Sequence, residues 1–288
     1  MHMRTPEQRG KRIDMTVGRS RRITTDTAPR VSLITVVLNA PEDFRRTRLS
    51  IGAQKPNWLE WLVIDGGSTD GTLAEIKQAD NLIDSLISER DGGIYDAMNK
   101  GARAAKGDFL WYMNAGDEIF PDALAHLSEV VGAWSADAIY CAPWVVRFPD
   151  GSETLRHPAP EELTFRMSVG HQATIHSKKA LLDASMYDER YQLAADFDFF
   201  LKARLQGVPF HTLDTPLTRY YKGGRTDQAP ISSKIETILS LWRSNSREKW
   251  RGIFKYTREI RNVLRNSVSS RIPKRTRRAV RRLLHGRS

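Results

Sequence analysis

The chain has 288 residues, 40% of them hydrophobic, with 45 Lys and Arg against 34 Asp and Glu, a formal net charge of +11 and one cysteine. That length can bury the core of one α/β domain of about 200 residues with appendages. Cys141 alone excludes an intrachain disulfide and any cysteine-cluster metal site, which fits a reducing compartment, and no run approaches the ~18 apolar residues of a membrane-spanning helix.

The charge is unevenly placed. Residues 1–30 hold 8 Lys/Arg and 3 Asp/Glu, residues 243–288 hold 16 and 2, and the stretch between them is net −8. The high pI therefore belongs to the ends. The first 30 residues, rich in Arg, Thr and Pro without periodicity and lacking the apolar run of a signal peptide, read as a disordered basic arm.

Order begins at Val31. The β-branched run Val31 to Leu38 predicts a strand buried on both faces, ending in the turn-prone Asn39-Ala40-Pro41, with a helix through Thr47 to Gln54. Leu62 to Ile64 predicts a second strand, closed by Asp65-Gly66-Gly67-Ser68-Thr69-Asp70-Gly71, and a helix over 72–78. A short strand at 86–88, a helix over 94–105 and a strand at 109–113 complete a βαβα array, which implies a mainly parallel sheet. Beyond Asp117 the spacing predicts a helix over 121–134, a strand over 138–148 that takes in a buried Cys141, and a hairpin turn at Asp150-Gly151. A strand at 173–176 and a helix at 196–205, stopped by Gly207, follow.

Several segments carry chemistry. Asp65 ends a strand in a glycine-rich loop, where its carboxylate can accept hydrogen bonds from a base N–H or a ribose hydroxyl. Asp91, Asp96, Asn99 and Lys100 surround the Gly92-Gly93 turn and the first turns of the next helix. Asp96 and Asn99, three apart, can share a face, and Lys100 is either a phosphate partner or a solvated helix lysine. Asn114-Ala115-Gly116-Asp117 places a carboxylate at a strand tip, as a hard-cation ligand or as a cap on the following helix. Asp196 opens the helix at 196–205 as a carboxylate for proton transfer or as a plain N-cap, with Asp198 pointing away. His171-Gln172 is a polar pair entering a strand, and Tyr221-Lys222-Gly223-Gly224-Arg225 is a glycine-rich segment able to fold over a diphosphate.

Taken with Val31 to Asn39 and Leu62 to Gly71, the run Glu89 to Gly101, Lys106-Gly107-Asp108 and Asn114 to Asp117 resembles the catalytic core of family 2 glycosyltransferases, in the branch that includes colanic-acid-type and mycobacterial glycolipid-type enzymes. The resemblance covers roughly residues 31 to 225. It implies a GT-A fold, a mainly parallel sheet flanked by helices, carried here by a domain over 31–242. It implies a donor pocket built from Asn39, Asp65, Asp91, Asp96, Asn99, Lys100, Asn114 and Arg225, with Lys222 as a second cation near the phosphates. Asn114 to Asp117 stands where the family has Asp-x-Asp, so Asp117 is the expected ligand of a Mg or Mn ion. Asp196 is the expected general base, His171 and Gln172 are secondary candidates, and Gly66 and Ala195 stand where the family carries acids.

The implied activity is an inverting hexosyl or deoxyhexosyl transfer from a nucleotide-diphosphate sugar to a lipid-linked or glycolipid acceptor. The tail over 243–288 predicts a basic amphipathic helix: Trp250, Ile253, Phe254, Thr257, Ile260, Val263 and Leu264 at helical spacing among Lys and Arg, with a denser basic cluster at 274–282. Such a helix either lies in an anionic membrane interface, placing the protein at the cytoplasmic face of the cell membrane, or packs on the catalytic domain. The competing readings are a non-catalytic GT-A scaffold and a nucleic-acid-binding protein driven by its basic ends. The acidic middle argues against nucleic acid.

Overall fold

The computed structural model describes residues 30–52 and 55–271; the basic arm and the 274–282 cluster lie outside the described residues. In chain order β1 (Val31–Val37), α1 (Pro41–Ile51), β2 (Leu59–Asp65), α2 (Thr72–Lys77), β3 (Ser85–Ser88), α3 (Ile94–Ala104) and β4 (Phe109–Asn114) form the alternating first half. After β5 (Glu118–Ile119) and α4 (Pro121–Val130) come β6 (Ile139–Cys141), β7 (Trp144–Arg147), β8 (Glu153–Arg156), β9 (Thr174–Ser177) and α5 (Lys178–Asp183). The chain continues through α6 (Ala195–Leu205), β10 (Phe210–Thr212), β11 (Thr218–Tyr221), α7 (Arg225–Gln228), α8 (Pro230–Arg243) and α9 (Lys249–Arg271).

Seven strands make the central sheet in the order β10-β6-β9-β4-β1-β2-β3, and β5-β11-β7-β8 make a second sheet. The first three strands and β4 run parallel, while β9 is antiparallel to both its neighbours. Both faces of the central sheet are covered. Leu33, Trp61 and Trp111 enter one core cluster while Ile34, Leu62 and Tyr112 enter another. That is why these strands read as unbroken apolar runs rather than alternating ones. Phe44 of α1 stacks on Trp61 at 5.9 Å, and the Trp61 Nε1–H donates to Thr35 Oγ1 at 2.9 Å, so even the indole nitrogen has a partner.

Two predicted elements are corrected. The first helix starts at Pro41, with Glu42 and Asp43 in its first turn, because a proline at the first helical position has the right φ and lacks an N–H that would be unpaired there. The strand expected over 138–148 is two strands in different sheets, separated by Ala142-Pro143. Proline cannot donate to a ladder, so the chain leaves the central sheet there, and the Pro143 carbonyl accepts from Leu217 N–H at 3.1 Å instead. Asp150-Gly151 does close the β7–β8 hairpin, Gly207 at φ +82° ends α6, and Cys141 is buried, its thiol pushed up to about 12 by desolvation.

Neighbours in sequence lie on opposite sides of β1: the order runs outward through β2 and β3, then returns to β4 on the other flank. The carboxyl ends of β1 and β4, paired as Val36 to Asn114, border the crevice that such a reversal opens in a parallel sheet.

Candidate active site

The loops at that crevice are wired together by their own polar groups. Asn39, at φ 49°, donates its N–H to Ser68 Oγ at 2.8 Å and accepts from Thr69 N–H through Oδ1 at 2.9 Å. Asp65 is fully buried; both carboxylate oxygens accept from Ser68 N–H and Oδ2 also accepts from Ser88 Oγ at 2.7 Å. Asn39 and Asp65 therefore set the shape of the β2 loop. Gly66 lies against Asp91: a Cβ there would meet Asp91 Oδ2 and lie 3.1 Å from Asp91 Cγ, so the carboxylate would have to move aside. The carboxylate of Asp91 thus stands beside the place where the family's second acid would project, held by Gly93 N–H at 3.0 Å.

Around the first turns of α3 the structure divides the candidates. Asp96 accepts from Gly92 N–H at 2.8 Å, which with the nearby Lys100 holds its carboxyl below the usual range. Lys100 pairs with Glu89 at 2.9 Å and Asp96 at 3.3 Å and donates to the Arg90 carbonyl, so its charge is neutralised within the turn. Asn99 is tied to the protein itself. It is buried, and its amide holds Tyr187 by backbone C=O (2.9 Å) and N–H (3.0 Å) and Glu189 by Oε1 (2.8 Å). These bonds fasten the 187–189 loop onto α3.

The tip of β4 has the opposite character. Asn114 Oδ1 is buried with no hydrogen-bond partner among the described residues. Asp117 is buried too, with Tyr221 N–H on Oδ1 at 3.3 Å, and desolvation pushes its carboxyl up to about 8, outweighing the nearby Arg46. Sequence reasoning missed Arg46. It bonds Asp43 at 3.0 Å and the Gly116 carbonyl at 3.2 Å, with its guanidinium 4.4 Å from the Tyr221 ring centroid. Beyond the local pair with Asp43, nothing in the spacing of α1 marks it, because Gly116 and Tyr221 lie 70 and more residues away. Lys222 is exposed, with its ammonium over the Phe148 ring; Arg225 begins α7, and its side chain lies outside the described residues.

Asp196 sits in the first turn of α6. Its Oδ1 accepts from Phe197 N–H at 2.9 Å and from Tyr95 Oη–H at 3.1 Å. Tyr95 was not foreseen. Burial and the neighbouring carboxylate raise its phenol well above 10, so it remains a donor. The same side chain lines a cavity of about 150 Å³ with Gly92, Asp96, Glu189, Tyr191 and Gln192. Asp198 points elsewhere, to Ser240 Oγ at 2.8 Å and Lys202 at 2.7 Å.

His171 is not a free catalytic imidazole. It stacks on Tyr112 at 5.5 Å, its Nε2 meets Tyr187 Oη at 3.0 Å, and burial lowers its pKa. His176 stacks on the same Tyr112 ring, meets the same hydroxyl at 3.2 Å, and is driven down to about 3 by burial. Gln172 is buried beside them, its carbonyl accepting from Trp111 Nε1–H at 2.7 Å.

A family model described as "Glycosyl transferase family 2" matches residues 32–190, more than half of the chain. The chain belongs to glycosyl transferase family 2. An uncharacterized glycosyltransferase of Mycobacterium tuberculosis is 34% identical to it over 190 residues, 63% of this chain and 71% of that protein. A PGL/p-HBAD biosynthesis glycosyltransferase of Mycobacterium bovis is 32% identical over 184 residues, 61% of this chain and 70% of that one. The solved mannosyltransferase of Pyrobaculum calidifontis, in complex with GDP-Man and Mn2+, superimposes with a TM-score of 0.57 at 17% identity, covering 80% of this chain and 69% of that one. That likeness bears on the fold, which is GT-A.

This family 2 glycosyltransferase has few side chains that could serve a cation. No group of three or more His, Cys, Asp or Glu side chains able to hold a metal occurs among the described residues. The unpartnered Asn114 Oδ1 and the desolvated Asp117 carboxylate are nonetheless hard oxygen donors at one strand tip, and they suit a Mg or Mn ion that takes its other ligands from phosphate and water.

Proposed function

We propose that this glycosyltransferase is an inverting enzyme that moves a hexosyl or deoxyhexosyl group from a nucleoside-diphosphate donor to a lipid-linked saccharide or glycolipid, at the cytoplasmic face of the cell membrane. The observation that carries the reading is the buried Asn114 Oδ1 at the end of β4, which has no hydrogen-bond partner among the described residues, together with the desolvated Asp117 carboxyl just after it, beside the crevice where the strand order reverses. A buried oxygen without a donor and a desolvated carboxylate are both costly, and a divalent cation held by Asn114 and Asp117 would offset that cost. The biosynthetic role in the printed name of the mycobacterial relative supports a glycolipid acceptor, and the GDP-Man and Mn2+ bound to the Pyrobaculum protein support a nucleotide-sugar donor with a divalent ion.

In this mechanism Asp65 and Asn39 hold the loop that receives the base and ribose, and Asp91 offers the carboxylate that Gly66 leaves room for. Tyr95 and the Phe197 N–H both bind Oδ1 of Asp196, which leaves Oδ2 to take the proton of the acceptor hydroxyl. The hydroxyl oxygen then bonds to the anomeric carbon from the face opposite the diphosphate, the bond to the diphosphate oxygen breaks with its electron pair, and the configuration inverts. A cation held by Asp117 and Asn114 would offset the charge gathering on the leaving diphosphate. Lys222 and Arg225, in the glycine-rich segment after β11, are the residues proposed to close on the phosphates.

Thermal stabilisation by GDP, UDP, dTDP and CMP, each with and without Mn2+, tests the donor site. One nucleoside diphosphate is expected to raise the melting temperature, more so with metal. Asp196→Asn is expected to keep that stabilisation while losing 10²–10⁴-fold, an order-of-magnitude range, in transfer of labelled sugar from that donor to membrane lipid extract. Full transfer activity in Asp196→Asn, or no stabilisation by any nucleotide, would sink the reading.

A further inference from the structure

Helix α8 leaves much of its apolar surface in solvent. The positions it buries are Thr237, Ser240 and Leu241, and the two polar ones are satisfied: Thr237 Oγ1 donates to the Ser233 carbonyl at 2.9 Å and Ser240 Oγ to Asp198 at 2.8 Å. Its exposed face carries Ile235, Leu239 and Trp242, spaced four and three apart, with Trp242 59% exposed. A helix that packs only on its own domain turns such residues inward.

The face does not stop at the end of α8. Helix α9 folds back along it and is docked through Tyr256, which shares a small core with Leu241, Phe197 and Leu201. Gly252 permits the close approach: a Cβ there would run into the Phe165 carbonyl oxygen and lie 2.6 Å from Leu241 Cδ1. This docking turns Trp250 (59% exposed) and Phe254 (69% exposed) outward, and the Trp250 ring meets Trp242 edge-on at 5.5 Å. The result is one apolar strip across both helices, from Ile235 and Leu239 through the tryptophan pair to Phe254.

The surrounding charge identifies what the strip faces. Residues 243–288 contain only two carboxylates, Glu248 and Glu259. Both are taken, by Arg251 at 2.5 Å and by Lys255 at 2.7 Å. Arg247, Arg258, Arg261 and Arg265 are exposed and have no ion-pair partner among the described residues. Paired tryptophans and a phenylalanine flanked by uncompensated arginines complement a surface that is apolar within and anionic at its edge, which describes the headgroup boundary of an acidic phospholipid leaflet.

We propose that the strip Ile235–Leu239–Trp242 of α8 together with Trp250 and Phe254 of α9 is a membrane-docking surface, inserted into the interface of an anionic bilayer with the arginines of α9 on the headgroups. It deepens the reading of a lipid-borne acceptor, and it moves the anchor from the C-terminal tail alone to a two-helix hairpin packed on α6, the helix that carries Asp196. The enzyme would then sit with a fixed orientation over the leaflet.

The test is flotation of the full chain with vesicles of phosphatidylcholine and phosphatidylglycerol, 7:3, against pure phosphatidylcholine, in the absence of nucleotide. Binding is expected on the acidic vesicles only, with quenching of tryptophan fluorescence by brominated lipid. Trp242→Ser/Trp250→Ser is expected to lower partitioning at least tenfold and to abolish the quenching. Its melting temperature and its nucleotide stabilisation should stay native, since both side chains are mostly in solvent. Full-chain Lys274→Gln/Arg275→Gln/Arg277→Gln/Arg278→Gln is expected to bind more weakly yet remain quenched. The proposal is overturned if the native chain ignores acidic vesicles, or if the tail variant loses all binding while the tryptophan variant loses none. It is equally overturned if the tryptophan substitutions turn a dimer into a monomer without affecting vesicle binding, which would make a second copy the occupant. None of these readings depends on catalysis, so nucleotide stabilisation with failed flotation would leave the transferase assignment standing.

Discussion

Asp117→Asn offers a sharp test of the strand-tip site, because it joins the fold's pH dependence to its affinity for metal. The Asp117 carboxyl titrates near 3.8 in an unfolded chain and at about 8 in the fold, with burial as the main cause. A group whose pKa rises on folding contributes stability that is fully present below the unfolded value and disappears as pH climbs through the folded one. Between these limits the native state keeps a proton that the unfolded state has released, and stability falls by up to about 1.4 kcal/mol per pH unit. From about pH 5.5 to 7.5 the native chain should therefore lose up to ~2.7 kcal/mol relative to Asp117→Asn, or roughly 5–10 °C in melting temperature for a domain of this size. His176 titrates in the opposite sense, lost as pH falls from 6.5 towards 3, but it is common to both chains and cancels in the difference. The assay is a pair of melting series with and without Mn2+. Metal needs the ionised carboxylate, so stabilisation by Mn2+ should grow with pH in the native chain and shrink sharply in the variant. Parallel melting curves, with a gap constant to within about 1 °C over that range, would refute the claim that Asp117 is held protonated by burial.

Two further substitutions separate roles that the sequence blends. Tyr95→Phe removes the hydroxyl that orients Asp196 and is expected to lower kcat about tenfold, less than the ~10²–10⁴-fold of a proton-transfer group itself because Tyr95 only positions one, with donor KM unchanged; a rise in donor KM at constant kcat would instead make Tyr95 a binding residue. Asn99→Ala strips three hydrogen bonds and leaves the Tyr187 N–H and C=O unpaired, at a cost of about 3 kcal/mol in urea unfolding. Because it holds a loop and not the donor, nucleotide stabilisation measured from the variant's own baseline should match the native chain, and its loss would restore Asn99 to the donor pocket.

The parallel half of the sheet was legible because burial on both faces writes itself into β1, β2 and β4 as unbroken apolar runs. Strand-tip carboxylates were legible for a related reason: a loop leaving such a strand has few grounds for an acid apart from turn chemistry or a ligand. The loop-holding bonds of Asn99 were not legible, because its partners lie 88 and 90 residues away in a loop with no pattern of its own. Tyr95 was invisible because an aromatic residue in the first turn of an amphipathic helix looks like packing. Helix α8 escaped notice because part of its apolar surface faces solvent and its core-facing side mixes Thr237 and Ser240 with Leu241 and Ile238. Pro143 was in plain view, but only tertiary structure shows that the strand changes sheets there.

Tyr187 has one hydroxyl proton and two imidazoles competing for it, at 3.0 and 3.2 Å. His176 Nδ1 lies 3.5 Å from the Ser177 carbonyl, which can only accept; with the hydrogen on that nitrogen, Nε2 is left bare to receive from Tyr187. The hydroxyl oxygen must then receive from His171 Nε2–H. Two neutral rings lying against one Tyr112 ring thus hold opposite tautomers, and the row of protons has a sense of travel, from beneath the active-site floor towards the sheet. A change at His176 would free the tyrosine to turn about and reverse the tautomer of His171 without touching it, so a substitution on β9 would be heard at the other end of the row.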